Sequence, residues 1–249
     1  MALTTVELYK KYCNSPWGIF RREMILRGLL SKAIEKDSFL DIGCGTGSVL
    51  TCLCNSFHSG VAIDNSMEML NSIESHGYDN LQLFNDDFNS FSFDGLYDLI
   101  LCHNVMEYQP KDIFDSFLDK ISSLLKNGNS IFSLVVMNRE VEVVSLLTNG
   151  LLERAEDLYL NGNYWSNTFR KKLYLPSVSE IKNLLIKNGF IINAEYGIGL
   201  MKQRDYNALD NIELYKRINI EQAMQSTSMI NNSILIHFIC KKRFADLSI

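Results

Sequence analysis

Long hydrophobic runs are missing from this sequence. No stretch reaches the ~18 apolar residues that a membrane-spanning helix needs, so none is expected. The opening segment from Met1 to Tyr12 carries Glu7, Lys10 and Lys11 and lacks an apolar signal core, which speaks against export. Both absences point to a cytoplasmic protein that does not bind membranes. Proline is scarce, with 3 residues, and no Pro/Ser-rich linker or internal repeat divides the 249 positions. That length suits one large domain, or a core with a small cap. Positive charge is in deficit, 24 Lys+Arg against 29 Asp+Glu, which argues against a broad nucleic-acid footprint. The densest basic run is Arg170-Lys171-Lys172, more easily read as a solvated loop than as an RNA patch. Zinc spacing is absent too. Among the six cysteines Cys52 and Cys54 form C-x-C without a matching second pair, so all six read as reduced packing or turn residues.

What is present is a packed α/β pattern. Hydrophobic residues make up 47% of the chain. Helices are expected over 3–13 and 18–35, separated at Pro16-Trp17-Gly18. Short apolar runs at 38–42, 60–63, 81–84, 97–102, 130–136 and 190–195 read as strands. They alternate with helices at about 47–56, 66–75, 111–126 and 177–188. Continuous rather than alternating apolar runs imply a mostly parallel sheet covered on both faces. Ser177 to Glu180 spells a capping box. A helical stretch is expected at 207–226. A last strand at 233–240 is expected antiparallel beside the sixth, making a seven-stranded, doubly wound sheet. Residues 138–175 interrupt this rhythm with a helix (about 140–157) and an Asn- and aromatic-rich loop. They read either as a lid or as a second packing layer. The division that follows is an N-terminal helical cap (1–35), a core (36–137), an insertion (138–175) and a C-terminal part of the sheet (176–249).

One stretch organises the rest: Phe39-Leu40-Asp41-Ile42-Gly43-Cys44-Gly45-Thr46-Gly47-Ser48. A buried strand runs into alternating glycines, then into a helix whose free N–H groups can face a ligand. Three further loop ends fall at the same carboxyl edge of the sheet: Asp64-Asn65, Asp87-Phe88 and Cys102-His103-Asn104. Asp64, 23 residues after Asp41 in the sequence, suits a ribose diol. A glycine turn and such an acid alone would also fit a nicotinamide dinucleotide, although the G-x-G-x-G spacing differs from that group's G-x-G-x-x-G.

Taken together, Asp41-x-Gly43-x-Gly45-x-Gly47, Asp64-Asn65-Ser66-Met67-Glu68-Met69-Leu70 and Tyr97-Asp98-Leu99-Ile100-Leu101 resemble the motifs of class I S-adenosylmethionine (SAM)-dependent methyltransferases. The resemblance implies SAM as cofactor. It places Asp41, Gly43, Cys44, Gly45 and Gly47 among the cofactor-binding residues and Asp64 on the cofactor's ribose. Asn65 and Met69 would lie beside adenine, Asp87 and Phe88 on its edge, and Cys102 and His103 near the sulfonium. A weaker similarity links Gly18-Ile19-Phe20-Arg21-Arg22, His103 to Tyr108, Asn138 and Glu213-Leu214 to the bacterial tRNA wobble-uridine carboxymethyltransferases. It implies that Arg21 holds the cofactor's carboxylate. The segment Lys202 to Tyr206, where that group binds tRNA, has only Lys202 and Arg204. The leading expectation is methyl transfer to a small molecule. The rivals are a tRNA-modifying transferase and a SAM-binding protein without catalysis. His103 is the candidate general base, or else a residue that lines the pocket by its backbone. Trp17, Glu107, Tyr108, Tyr164, Trp165 and Tyr174 are candidates for the acceptor side.

Overall fold

The computed structural model describes residues 4–32, 34–73, 78–200 and 227–243. The elements are α1 (Thr5–Cys13), α2 (Pro16–Leu30), β1 (Ser38–Ile42), α3 (Leu50–Cys54), β2 (Ser59–Asp64), α4 (Met67–Leu70), β3 (Leu81–Asn85) and β4 (Leu99–His103). They continue as α5 (Phe114–Leu124), β5 (Ile131–Met137), α6 (Arg139–Thr148), α7 (Leu152–Asn161), β6 (Asn163–Ser166) and β7 (Lys171–Tyr174). Last come α8 (Val178–Lys187), β8 (Phe190–Leu200), α9 (Thr227–Asn231) and β9 (Ser233–Lys242). Among the described residues no helix is long and apolar enough to cross a membrane. The helix expected at 207–226 and the segments at 202–206 and 213–214 lie outside the described residues.

Seven strands form one sheet in the order β3-β2-β1-β4-β5-β9-β8. β1 to β5 are parallel, and β9 runs antiparallel between β5 and β8. The expected α/β class and mostly parallel seven-stranded sheet are therefore present. Alternate side chains of each central strand feed two cores. Leu40, Ile42, Ile100, Phe132, Leu134 and Phe238 face α5 and α8. Phe39, Leu99, Leu101, Val135 and Ile239 face α2, α3 and α4. Burial on both faces is why these strands carry so few polar residues. Polar exceptions such as Asp41, Ser133 and His237 stand out for that reason.

The remaining differences from the sequence reading have local causes. The two N-terminal helices are separate as expected, but the break falls at Asn14-Ser15 and Pro16 opens α2. Ser15 caps the helix by accepting the Gly18 N–H, and proline suits a first turn that needs no donor. α3 starts at Leu50 because Gly47 sits at φ +76°, which delays the helix. α4 ends at Leu70, where the Ser72 hydroxyl donates to the Met69 carbonyl and competes with the helix ladder. The single helix expected at 140–157 is two helices, with Gly150 at φ +73° between them. The aromatic loop contains a hairpin, β6 pairing antiparallel with β7. α6, α7 and this hairpin enclose a third small core of Leu146, Ala155, Leu158, Leu173 and Leu175. The capping box forms as expected, the Ser177 hydroxyl accepting the Glu180 N–H at 3.2 Å and Glu180 accepting the Ser177 N–H at 2.8 Å.

Candidate active site

A cavity of about 830 Å³ opens at the carboxyl edge of the parallel strands. That is near the upper end of the range for small-molecule sites, which leaves space for two ligands side by side. Its floor is the glycine turn. Gly43, Gly45 and Gly47 take φ of +64°, +55° and +76°. At Gly43 a Cβ would also run into the Val105 side chain. Gly43 and Gly45 border the cavity with bare backbone.

Asp64, at the end of β2, uses one lone pair of each oxygen on the protein. Oδ2 accepts the Gly45 N–H at 2.8 Å and Oδ1 the Ser66 N–H at 2.9 Å. A carboxylate has about four acceptor positions, so both oxygens keep one for a ligand diol. Asn65, Met69, Asp87 and Phe88 border the same space. Lys120 steadies that end by donating to the backbone carbonyls of Phe88, Asn89 and Phe91 at 2.5, 3.0 and 2.6 Å.

Arg21 reaches the cavity from α2 and is 8% exposed. Its Nη1 donates to Asn104 Oδ1 at 3.4 Å, and its Nε has no hydrogen-bond partner. Its guanidinium lies 5.5 Å from the Tyr12 ring centroid. It forms an ion pair with no carboxylate among the described residues. Burial opposes the charge, but Tyr9, Tyr12 and Cys13 hold its pKa above the usual value. Asn104, which receives it, is at φ +56°, a conformation that asparagine tolerates better than most residues.

Much of the remaining wall is aromatic. Tyr9, Tyr12, Trp17, Tyr108, Tyr164 and Phe169 border the cavity. Phe169 meets Tyr108 edge to face at 5.4 Å and Tyr9 at 5.9 Å. Trp17 Nε1 donates to the Tyr12 hydroxyl at 2.7 Å. Burial raises the Tyr9 hydroxyl to about 12, against the pull of Arg21. Glu107 and Glu142 are buried acids of the same wall.

Four cofactor candidates stand behind the wall instead of on it: Asp41, Cys44, Gly47 and Cys102 are not among the cavity-lining residues. Asp41 is buried, and burial first and the Asp64 charge second push it up to about 8. Cys102 packs wholly into the sheet core. Gly47 lies against Ile73. Two acceptor candidates are corrected. Trp165 is 47% exposed and lines a small recess with Arg154 and Lys172 instead of the cavity, which of the two neighbours only Tyr164 borders. Tyr174 is absent from the cavity wall and donates its hydroxyl to Glu180 at 2.8 Å. His103 does border the cavity, but its Nε2 is 2.8 Å from Ser133 Oγ, itself 2.8 Å from His237 Nε2. No motif or spacing singles out Tyr9, Tyr12, Glu142, Phe169, Ser133 or His237. Their roles depend on the folded position of α1, the hairpin and the inserted β9. Asn138 is buried for a structural reason, donating to the Asn231 and Ser233 carbonyls at 2.8 and 2.9 Å.

Residues 39–128 match the family model described as a methyltransferase domain. The ubiquinone biosynthesis O-methyltransferase of Rickettsia canadensis is 24% identical over 209 residues, covering 82% of this chain and 83% of that protein. An S-adenosylmethionine-dependent methyltransferase structure from Clostridium acetobutylicum superposes with a TM-score of 0.63 at 16% identity, covering 95% of this chain and 97% of the other. A structure from Listeria monocytogenes, described as a putative S-adenosylmethionine dependent methyltransferase, gives 0.65 at 15% identity, covering 91% and 98%. At such identities the structural likeness speaks for the fold.

Proposed function

We propose that this chain, which belongs to the class I SAM-dependent methyltransferases, methylates a hydroxyl group of a small, largely planar molecule. The observation that carries the reading is Arg21, a buried guanidinium without a carboxylate partner, bordering the same cavity as the glycine turn and Asp64. A buried cation of this kind calls for an anion from the ligand. The cofactor's terminal carboxylate suits it. The ribose suits the two open positions on Asp64, and adenine fits between Met69 and the Asp87-Phe88 turn. Bound there, SAM supplies an electrophilic methyl group on a sulfonium.

The chain's own part is to position and to exclude water. Arg21 and Asp64 fix the two ends of the cofactor. The glycine turn admits it without a Cβ in the way. Tyr9, Tyr108, Tyr164 and Phe169 offer ring faces and edges that would orient a planar acceptor and keep water out. The α6–β7 segment serves as a lid over the acceptor end in this reading. Relatives that carry the name O-methyltransferase support a hydroxyl acceptor.

Arg21→Ala tests the cofactor's placement. By calorimetry, SAM affinity should fall at least tenfold while 5′-methylthioadenosine, which lacks the amino-acid tail, binds as before. Equal losses for both ligands would remove Arg21 from the carboxylate site, and tight NADH binding without SAM binding would refute the whole assignment.

A further inference from the structure

We infer that Glu107, and not His103, is the group that takes the proton from the acceptor hydroxyl; this rests on the methyl-transfer reading of the cavity.

Glu107 sits in the short 3-10 turn Met106–Tyr108 just after β4. It is 1% exposed. Oε1 accepts the Met137 N–H at 2.7 Å, whereas Oε2 is buried with no hydrogen-bond partner. A buried carboxylate oxygen left without a donor is costly, so it marks a place where a ligand completes the structure. Glu107 borders the cavity beside Tyr108, Tyr164 and Phe169, where a planar acceptor would lie. A hydroxyl on such a molecule supplies the missing donor.

The groups around Glu107 leave it basic. It forms no ion pair among the described residues. Cys102 on β4 and Tyr108 on the same turn lie close enough for the carboxylate charge to raise their pKa values. His103 (β4), Arg21 (α2), Tyr9 (α1), Glu142 (α6), Tyr164 (β6) and Lys171 (β7) share the cavity. Burial pushes Glu107 up to about 7, against the pull of the Met137 and Glu107 N–H groups and Asn104. A base poised near the working pH is the efficient one.

His103 is occupied. Ser133 has one proton to give and stands between His103 Nε2 and His237 Nε2. Ser133 Oγ has no other partner among the described residues, so its proton goes to one imidazole and the other imidazole donates to it. His237 Nδ1 is buried without a partner, which costs less as a bare lone pair than as an unpaired N–H. His237 then donates from Nε2 to Ser133, and Ser133 donates to His103 Nε2. That leaves the His103 proton on Nδ1, so neither ring nitrogen of His103 is free to accept one. This tautomer is assigned from the network.

The step balances simply. The acceptor O–H bond breaks and its proton moves to Glu107 Oε2, giving a neutral carboxylic acid. The oxygen's electron pair forms the bond to the methyl carbon, and the carbon–sulfur pair leaves with the neutral thioether.

Glu107→Gln tests the assignment, because its carbonyl oxygen still accepts the Met137 N–H. Two probes are titrated by calorimetry into protein loaded with S-adenosylhomocysteine: catechol, and 1,2-dimethoxybenzene, which has the same ring and no hydroxyl. Wild type should bind catechol about tenfold tighter or more, and the variant should lose most of that preference. Methyl transfer to catechol should fall about 10²–10⁴-fold, the usual span for a lost general base. Its kcat/KM should also lose the rise through pH ~7 expected of wild type, with the circular dichroism spectrum and SAM affinity unchanged. A variant with wild-type rate and pH profile, or a wild type with no preference for catechol, overturns the inference. Failure of wild type to bind SAM at all would overturn the parent reading as well, so the two failures are told apart.

Discussion

Asp64 shows how one side chain can shape a turn and still keep acceptor positions open toward a cavity. Its carboxylate already ties the Gly45 N–H on the floor of the cavity and the Ser66 N–H that opens α4. The lone pairs left over project from oxygens fixed by two backbone contacts, so a diol meets an acceptor that is already oriented. Asp64→Asn retains one acceptor oxygen and loses the charge. It should weaken SAM binding by about 1.5–3 kcal/mol, the worth of hydrogen bonds to a charged group. The chain should stay folded, with calorimetry for affinity and circular dichroism for the fold; unchanged affinity would remove Asp64 from the ribose. The place of Asp64 at the cavity edge was readable in the sequence because the demand is local, an acid ending a strand after a glycine turn. The bare oxygen of Glu107 was not. Its state depends on Met137, 30 positions away in the sequence, and on burial by elements that no nearby residue announces.

At the scale of elements the same division holds. The parallel strands were legible because burial on two faces demands unbroken apolar runs. The capping box was legible because it is written within four consecutive residues. The hairpin β6–β7 was not, since its turn residues Asn167-Thr168-Phe169-Arg170 contain neither glycine nor proline, and Arg170 itself takes φ +51°. What holds this segment to the core is Glu180. It accepts Arg139 Nη1 at 3.0 Å from the start of α6 and the Tyr174 hydroxyl at 2.8 Å from β7, while closing its own capping box on α8. Glu180→Ala should therefore do more than remove a helix cap. We expect a loss of about 1–2 kcal/mol of stability in urea unfolding. We also expect faster hydrogen exchange in β6, β7 and the first turn of α6. Destabilisation confined to α8 would mean that Arg139 and Tyr174 do not depend on Glu180.

The whole molecule brings His103 and His237 together, because β9 inserts between β5 and β8 and lays His237 on the face that also carries Ser133. His237 is fully buried, and His103 is half-buried at the cavity wall. Burial holds His237 down to about 3, and burial, His237 and Arg21 together hold His103 well below its usual value. The unfolded chain titrates these groups near 6.5, so below that pH it binds more protons than the folded chain does. Their contribution to stability is full above pH ~6.5 and is lost as pH falls toward 3, at up to ~1.4 kcal/mol per pH unit for each histidine. Asp41 and Glu107 act in the opposite sense. Their folded pKa values are raised to about 8 and about 7, so they cost stability as pH rises from the ordinary carboxylate range to those values. The two effects partly cancel in the wild-type curve, and a difference between proteins separates them. His237→Gln keeps an amide that can donate to Ser133 and removes the titrating ring, while Asp41 and Glu107 remain in both chains. The stability gap between wild type and the variant, measured by urea unfolding at pH 7.5, 6, 5 and 4, should hold steady near neutrality. Below pH 6.5 it should shift against wild type by about 1 kcal/mol per unit. Parallel curves across that range would mean that the folded protein lets His237 take up its proton as freely as the unfolded chain does. The neutral His103–Ser133–His237 chain, and with it the exclusion of His103 as base, would then be wrong.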